Sequence, residues 1–212
     1  MNTSLKNELR NILSGKITNG DGSSIQSIAR YLRDGIGAGR ENKEEKLFKK
    51  QEEASLIQFI ELQQLWIKYI DFSQYVSEGA EQKVYLKDSK HVLKLNDSIY
   101  YNCWLDYFQN LILHNYFFPD TAYTLLGFCT KENTLFAVVQ QNFVATDSNT
   151  DLSKVKAFLE SNGFMNNRNH DYYNKELGII LEDLHDENVL TKKDILYFID
   201  TVFYITPTFW KD

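Results

Sequence analysis

Residues 178–203 read GIILEDLHDENVLTKKDILYFIDTVF, and the alternation of apolar and polar blocks in this stretch frames the rest of the chain. Ile179, Ile180 and Leu181 run into the polar DLHDEN segment, Val189 and Leu190 follow, and a polar turn over residues 191–194 leads into the mostly apolar residues 195–199. The pattern predicts strand, loop, strand, turn, strand. Asp183 and Asn188 stand five residues apart and reach opposite sides of one loop, while Asp200, at the end of the last strand, is placed to point at both. Hard Mg2+ takes oxygen ligands of this kind beside substrate phosphates, so the three side chains form a candidate metal-phosphate site. The competing reading is an acidic surface loop.

Length and composition bound the alternatives. A chain of 212 residues, 43% hydrophobic and 14% aromatic, has enough apolar surface to bury a sizeable core and is not a disordered chain. The formal charge of -6 argues against a surface that coats nucleic acid, since phosphate contacts need clustered Lys and Arg; duplex DNA is therefore a poor candidate partner. Cys103 and Cys129 sit in apolar surroundings without CxxC spacing, which suits buried thiols in a reducing cytoplasm better than a disulfide framework or a zinc site. Residues 1–15 lack the apolar core of a signal peptide, and no run approaches the roughly 18 apolar residues of a membrane span. A soluble cytoplasmic protein without a membrane partner is expected.

Toward the N-terminus, Leu5, Leu9, Ile12 and Leu13 recur at helical spacing behind Ser4. Ile25, Ile28, Ala29 and Leu32 do so behind Ser24, with the turn-forming NGDGSS of residues 19–24 between the two helices. The glycines of residues 35–40, GIGAGR, allow a close approach to an anion, but no strand precedes them and no Lys-Ser/Thr pair follows, so helix exit and flexible link is the favoured reading. Residues 41–70 hold strong helix formers without Gly or Pro. The charged first half reads as a solvated face and the apolar half, from Leu56 to Ile70, as a face packed on the sheet.

The period then changes. Val84, Leu86, Val92, Leu93 and Leu95 lie in two strand-like runs divided by the turn Lys87-Asp88-Ser89-Lys90. Lys94 is the single charge among apolar neighbours on the second run. Its ammonium would hold phosphates as a point charge; alternatively it is an outward lysine on a half-buried strand. Residues 97–118 form an apolar helix, residues 123–129 and 134–140 two strands around Lys131-Glu132-Asn133, and a short helix follows Asp151 or Ser153 and stops at Gly163. His170 and His185 lack the spacing of a metal site, and His185 is expected to brace the loop by hydrogen bonding.

The spacing Asp183-Leu184-His185-x-x-Asn188, a strand, then Ile199-Asp200 resembles the catalytic segment of the protein-kinase-like superfamily, in the form used by its aminoglycoside phosphotransferase branch. It is most similar to the kinase domain of the polyvalent proteins of phage and mobile elements. The resemblance covers residues 75–205. It implies ATP and Mg2+ as cofactors, Asp183 as base or orienter of the accepting hydroxyl, Asn188 and Asp200 as Mg2+ ligands, and Lys94 on the nucleotide phosphates. It further implies a thinned glycine loop with Gly79 as its one glycine, and a hinge where Gln141 and Phe143 contact the nucleotide. Three departures stand beside it. Leu181 occupies the position where the family usually has His, and Asp106 is the only acid on the helix that should offer Lys94 a glutamate. The chain also runs only twelve residues past Asp200, without an activation segment or full helical second lobe.

The expectation is therefore an α+β, reduced protein-kinase-like two-lobe fold with a small antiparallel sheet. Residues 1–70 would be an N-terminal helical extension, residues 71–141 the first lobe, and residues 142–212 a reduced second lobe carrying the catalytic and metal-binding loop. The expected function is ATP- and Mg-dependent phosphotransfer to an unidentified acceptor, from a gene carried by a phage or mobile element, with the N-terminal helices as a candidate protein-docking surface. The alternative is an inactive pseudokinase that acts as a nucleotide- or protein-binding module.

Overall fold

The computed structural model describes residues 2–17, 23–36, 45–79 and 82–211. The fold is α+β. Helices α1 (Asn2–Leu13), α2 (Ser23–Ile36) and α3 (Glu45–Leu62) precede strands β1 (Tyr75–Glu78), β2 (Gln82–Leu86) and β3 (His91–Asn96). Next come α4 (Trp104–Phe117), β4 (Thr124–Lys131), β5 (Thr134–Asn142) and α5 (Leu152–Ser161). The remaining strands are β6 (Met165–Arg168), β7 (Asp171–Asn174), β8 (Ile179–Glu182), β9 (Val189–Lys192), β10 (Ile195–Phe198) and β11 (Val202–Ile205).

The first sheet runs β1-β2-β3-β5-β4 with antiparallel neighbours, which makes β3 its centre. Its hairpins follow from local chemistry. Glu132 and Asn133 take φ of 53° and 62°, the two positive values of a turn whose twist matches the strands it joins. Between β2 and β3 the Asp88 carboxylate accepts from the backbone N–H of Lys90 at 2.7 Å and of His91 at 2.9 Å. Alternation then sorts the side chains. Leu135, Ala137 and Val139 join the main core with α4, whereas Phe136 and Val138 join Leu95, Tyr85, Cys129 and Ile70 in a second cluster on the opposite face. Lys94 pairs across the ladder with Val139.

α4 is apolar around most of its circumference and sits inside the core, with Trp104, Phe108 and Leu113 fully buried. Its first N–H groups are capped from another helix: Glu52 of α3 accepts from Trp104 N at 2.6 Å and Leu105 N at 3.1 Å. The expected apolar faces of α1 and α2 pack into this same core, with Leu9, Ile12, Leu13, Ile25, Ile28, Ala29 and Leu32 all buried. Arg10 and Lys6 tie α1 to the turn Pro207–Trp210 through the carbonyls of Phe209, at 2.9 Å, and Thr208, also at 2.9 Å. No described helix is long and apolar enough to cross a membrane.

The helix expected over residues 41–70 is shorter. Among the described residues it ends at Leu62; Gln64 turns the chain with φ 56°, and the following residues run beside β4. Ile67 N donates to Phe128 O at 2.8 Å and Phe128 N to Leu65 O at 2.9 Å, so backbone pairing with the sheet edge replaces the last helical turns. Leu56 and Ile60 are buried in the main core, only Ile67 and Ile70 of the later residues join the second cluster, and Leu62 and Tyr69 stay exposed. The next helix also begins later than residue 97. Asn96 and Asp97 side chains accept from the N–H groups of Ser98 and Ile99, holding residues 97–103 as a loop ahead of Trp104.

The strands expected over residues 179–181, 189–190 and 195–199 are β8, β9 and β10, with β9 and β10 joined by Lys193 and Asp194 at φ 51° and 60°. β8 also belongs to a second sheet, β11-β8-β7-β6, whose other strands the sequence pattern does not announce. β11 returns along β8 with Phe203 opposite Leu181, which leaves Asp200 in the short link between β10 and β11.

Candidate functional site

A cleft of about 260 Å³ opens between the first sheet and the β9–β10 hairpin. Lys94, Asn188 and Asp200 all line it, with Gly79, Gln82, Gln141 and Phe143. Their convergence comes from backbone pairing. Asn188 O accepts from Ile199 N at 2.9 Å and Asp200 N at 3.3 Å, so the end of the 183–188 loop is fastened to the residue that carries the second candidate carboxylate.

Lys94 projects from the centre of the sheet into the cleft floor with only 4% of its side chain exposed. Its Nζ donates to Ile199 O at 2.7 Å and lies 3.9 Å from Asp200 Oδ2. Burial lowers its pKa from the ordinary lysine value, and the Asp200 carboxylate opposes that shift. Asp200 Oδ2 also accepts from Gln82 Nε2. The ammonium and the carboxylate thus face the same small volume, one held by the sheet and the other by the hairpin.

Asn188 is oriented by what its Nδ2 does. That nitrogen donates to Asp183 O and to Asp183 Oδ2, each at 2.8 Å, which leaves the amide oxygen for the cleft. His185 braces the turn as expected: Nδ1 accepts from Glu187 N at 3.2 Å, and Nε2 lies 3.1 Å from Asn188 Nδ2 and 3.3 Å from Asp183 Oδ1. Asp183 itself has φ 65°, an uncommon conformation that aspartate tolerates better than most residues, and its N–H is held by Asp171 Oδ1 at 3.2 Å. Its carboxylate is 57% exposed and stands beside Asn188 at the lip, outside the residues that line the cleft. The site is therefore layered: an ammonium at the floor, the Asn188 and Asp200 side-chain oxygens in the wall, and one exposed carboxylate at the rim.

The remaining expected contacts have different characters. Gln141 lines the cleft, but its side-chain amide is spent on Thr121 O at 2.7 Å. Phe143 donates its N–H to Lys90 O at 2.7 Å and presents a half-exposed ring. Gly79 borders the cleft and donates its N–H to Gln82 O at 3.0 Å; a Cβ added there would meet nothing within 4 Å, so close backbone contact does not require glycine. Residues 80 and 81 of the glycine turn lie outside the described residues, as do residues 37–40 of the more N-terminal GIGAGR segment and residues 19–22 of the expected turn.

Asp106 does not meet Lys94. It sits in the first turn of α4 and lines a different cleft with Arg33, Gln109 and Trp210, while Lys94 pairs with Asp200. Three groups near the lysine escaped the sequence reading. Gln82 had a signal, since it shares the strand face of Val84 and is a polar residue turned inward. Tyr123 and His114 had none, because their partners, Ile199 and Thr201, are distant in sequence.

Among the described residues no group of three His, Cys, Asp or Glu could hold a metal ion as a protein cage. Asn188 and Asp200 instead offer the two-oxygen arrangement that suits Mg2+, which keeps water and substrate phosphate in its other positions. Searches of curated proteins and of solved structures gave no match. A family model of serine/threonine/tyrosine kinases found in polyvalent proteins matches residues 49–207, a span that holds every group described at this cleft. The chain belongs to the family of kinases found in polyvalent proteins.

Proposed function

We propose that the chain transfers the terminal phosphoryl group of ATP to a hydroxyl acceptor in a Mg2+-dependent reaction. The observation that carries this reading is the convergence of Lys94, Asn188 and Asp200 on one cleft, within the span of a kinase family match. Lys94 supplies a positive charge to the phosphates from a site where water is largely excluded, which strengthens its effect. The Asn188 amide oxygen and the Asp200 carboxylate would hold Mg2+, which supplies charge neutralisation on the transferring phosphoryl group. Asp183 orients the acceptor hydroxyl at the rim, where its exposure admits a second substrate. The strand end at Gln141 and Phe143 borders the cleft, where the half-exposed Phe143 ring would pack against a base while its N–H stays on Lys90 O. Two free buried thiols, Cys103 and Cys129, suit a reducing cytoplasm, the setting proposed for a phage or mobile-element protein.

The test is turnover of ATP labelled on its terminal phosphate against protein, small-molecule and nucleotide acceptors. Asp183→Asn keeps an oxygen for Asn188 yet removes the carboxylate that acts on the hydroxyl. It should bind Mg-ATP about as well as wild type while transfer falls by about a hundredfold or more. Transfer at the wild-type rate in Asp183→Asn would contradict the assignment. Tight Mg-ATP binding without turnover on any acceptor would mark a binding module instead.

A further inference from the structure

The only acid in α4, Asp106, lies away from Lys94, so the ammonium needs another means of orientation. We infer that Tyr123 is the positioning residue for Lys94, taking from the residue just before β4 the part a helix carboxylate would play. The inference rests on the phosphoryl-transfer reading for its purpose and on geometry for its content. Tyr123 is buried, its hydroxyl donates to Ile199 O at 2.8 Å, and the same carbonyl accepts from Lys94 Nζ at 2.7 Å. The hydroxyl oxygen is 3.4 Å from Nζ, and the ammonium stands 5.3 Å from the centre of the tyrosine ring. Phenol, carbonyl and ring face thus define one position for the charge.

The clamp is itself clasped by α4 without any charge. Asn115 accepts from Tyr123 N at 2.7 Å and donates to Tyr123 O at 2.8 Å. The ring packs against His114 at 4.5 Å between centroids. His114 Nε2 donates to Thr121 O at 2.9 Å, and its Nδ1, 2.7 Å away, accepts from the Thr201 hydroxyl, one residue beyond Asp200. Burial, then the Asp200 charge, raises the phenol pKa well above its ordinary value, so Tyr123 acts as a neutral dipole. The distinction has a chemical consequence. A carboxylate partner neutralises the ammonium, whereas neutral dipoles hold it in place and leave its charge for phosphate, including when Asp200 turns to a metal.

The test has one arm free of nucleotide and one with it. In the free protein, acylation of Lys94 by an amine-reactive ester, followed by peptide mass spectrometry, should run several-fold faster in Tyr123→Phe and at the wild-type rate in Asp106→Asn. Asn115→Ser, which frees the Tyr123 backbone without touching the cleft, should shift the rate in the same direction and serves if Tyr123→Phe folds poorly. With nucleotide, Tyr123→Phe should weaken Mg-ATP binding about tenfold, as for loss of one hydrogen bond to a charged partner, and leave adenosine binding unchanged. Wild-type labelling of Lys94 in both the Tyr123 and Asn115 variants would overturn the inference, as would equal weakening of Mg-ATP and adenosine, which marks a collapsed cleft. A wild-type protein that binds no Mg-ATP would defeat the phosphoryl-transfer reading alone, because the labelling arm still decides the clamp.

Discussion

Lys94 and His114 are buried nitrogen bases that both lie against the Tyr123 ring, and the molecule treats them differently. Lys94 has a carboxylate within 3.9 Å, whereas among the described residues the hydrogen-bond partners of His114 are neutral oxygens of Thr121 and Thr201. Burial first, with the nearby Lys94 charge, pushes the His114 pKa down to about 3, against the smaller upward effect of its hydrogen bond to Thr121. The sign of the pH effect follows. Between about pH 6.5 and 3 the unfolded chain takes up a proton that the native His114 refuses, so stability falls with acid through that window by about 1.4 kcal/mol per unit. Denaturant titrations from pH 7 to 5 should show a shallower acid loss in His114→Gln, which removes the titrating group. An unchanged slope would mean that His114 already accepts its proton in the folded state. At this scale the candidate site residues could be named from the sequence because Asp183, Asn188 and Asp200 belong to one local strand-loop-hairpin pattern. Tyr123 could not, since what makes it a clamp is a carbonyl 76 positions away.

Among the elements, the hairpins β2–β3, β4–β5 and β9–β10 were readable because turn chemistry and alternation act over a few residues. β6 reads MNNR, is exposed along its length and carries no apolar alternation, so only its tertiary partner β7 makes it a strand. The end of α3 departs from its sequence pattern for the opposite reason: good helix formers continue past Leu62, but the edge of β4 offers the backbone a competing partner. Gly127 makes that partnership possible. Its φ is 148°, it lies at the bulge in β4, and a Cβ there would stand 2.3 Å from Leu65 O, a backbone atom. Gly127→Ala should therefore cost about 2–4 kcal/mol in denaturant unfolding. A loss below roughly 0.5 kcal/mol, the scale of an ordinary surface change, would show that the chain after α3 does not seal this edge. The cap on α4 gives a second expectation. Glu52→Ala orphans the N–H groups of Trp104 and Leu105 and should destabilise by about 1–3 kcal/mol, whereas Glu52→Gln retains one acceptor and should lose less. Equal losses from the two substitutions would assign the effect to packing instead of capping.

For the whole molecule, α+β class and the order of sheet, helix and hairpin were recoverable from the sequence, and the kinase family match over residues 49–207 agrees with the resemblance read there. The second sheet and the way the parts are fastened were not, because they depend on long-range bonds. Gln82 to Asp200 ties the first sheet to the β10–β11 link, Lys94 to Ile199 ties its centre to the same place, and His114 to Thr201 adds α4. All three bonds end within residues 199–201, so the cleft is assembled before any ligand arrives. A preassembled cleft that binds Mg-nucleotide should stabilise the folded state by mass action, about 2.7 kcal/mol at a hundredfold excess over Kd. The most direct measurement is thermal unfolding of wild type and Asp200→Asn with ATP, with and without Mg2+. The expectation is a concentration-dependent rise in Tm for wild type that needs both ATP and Mg2+, and loss of most of that rise in Asp200→Asn, read against that variant's own ligand-free Tm. No shift for wild type at millimolar Mg-ATP, or a full shift retained in Asp200→Asn, would contradict it.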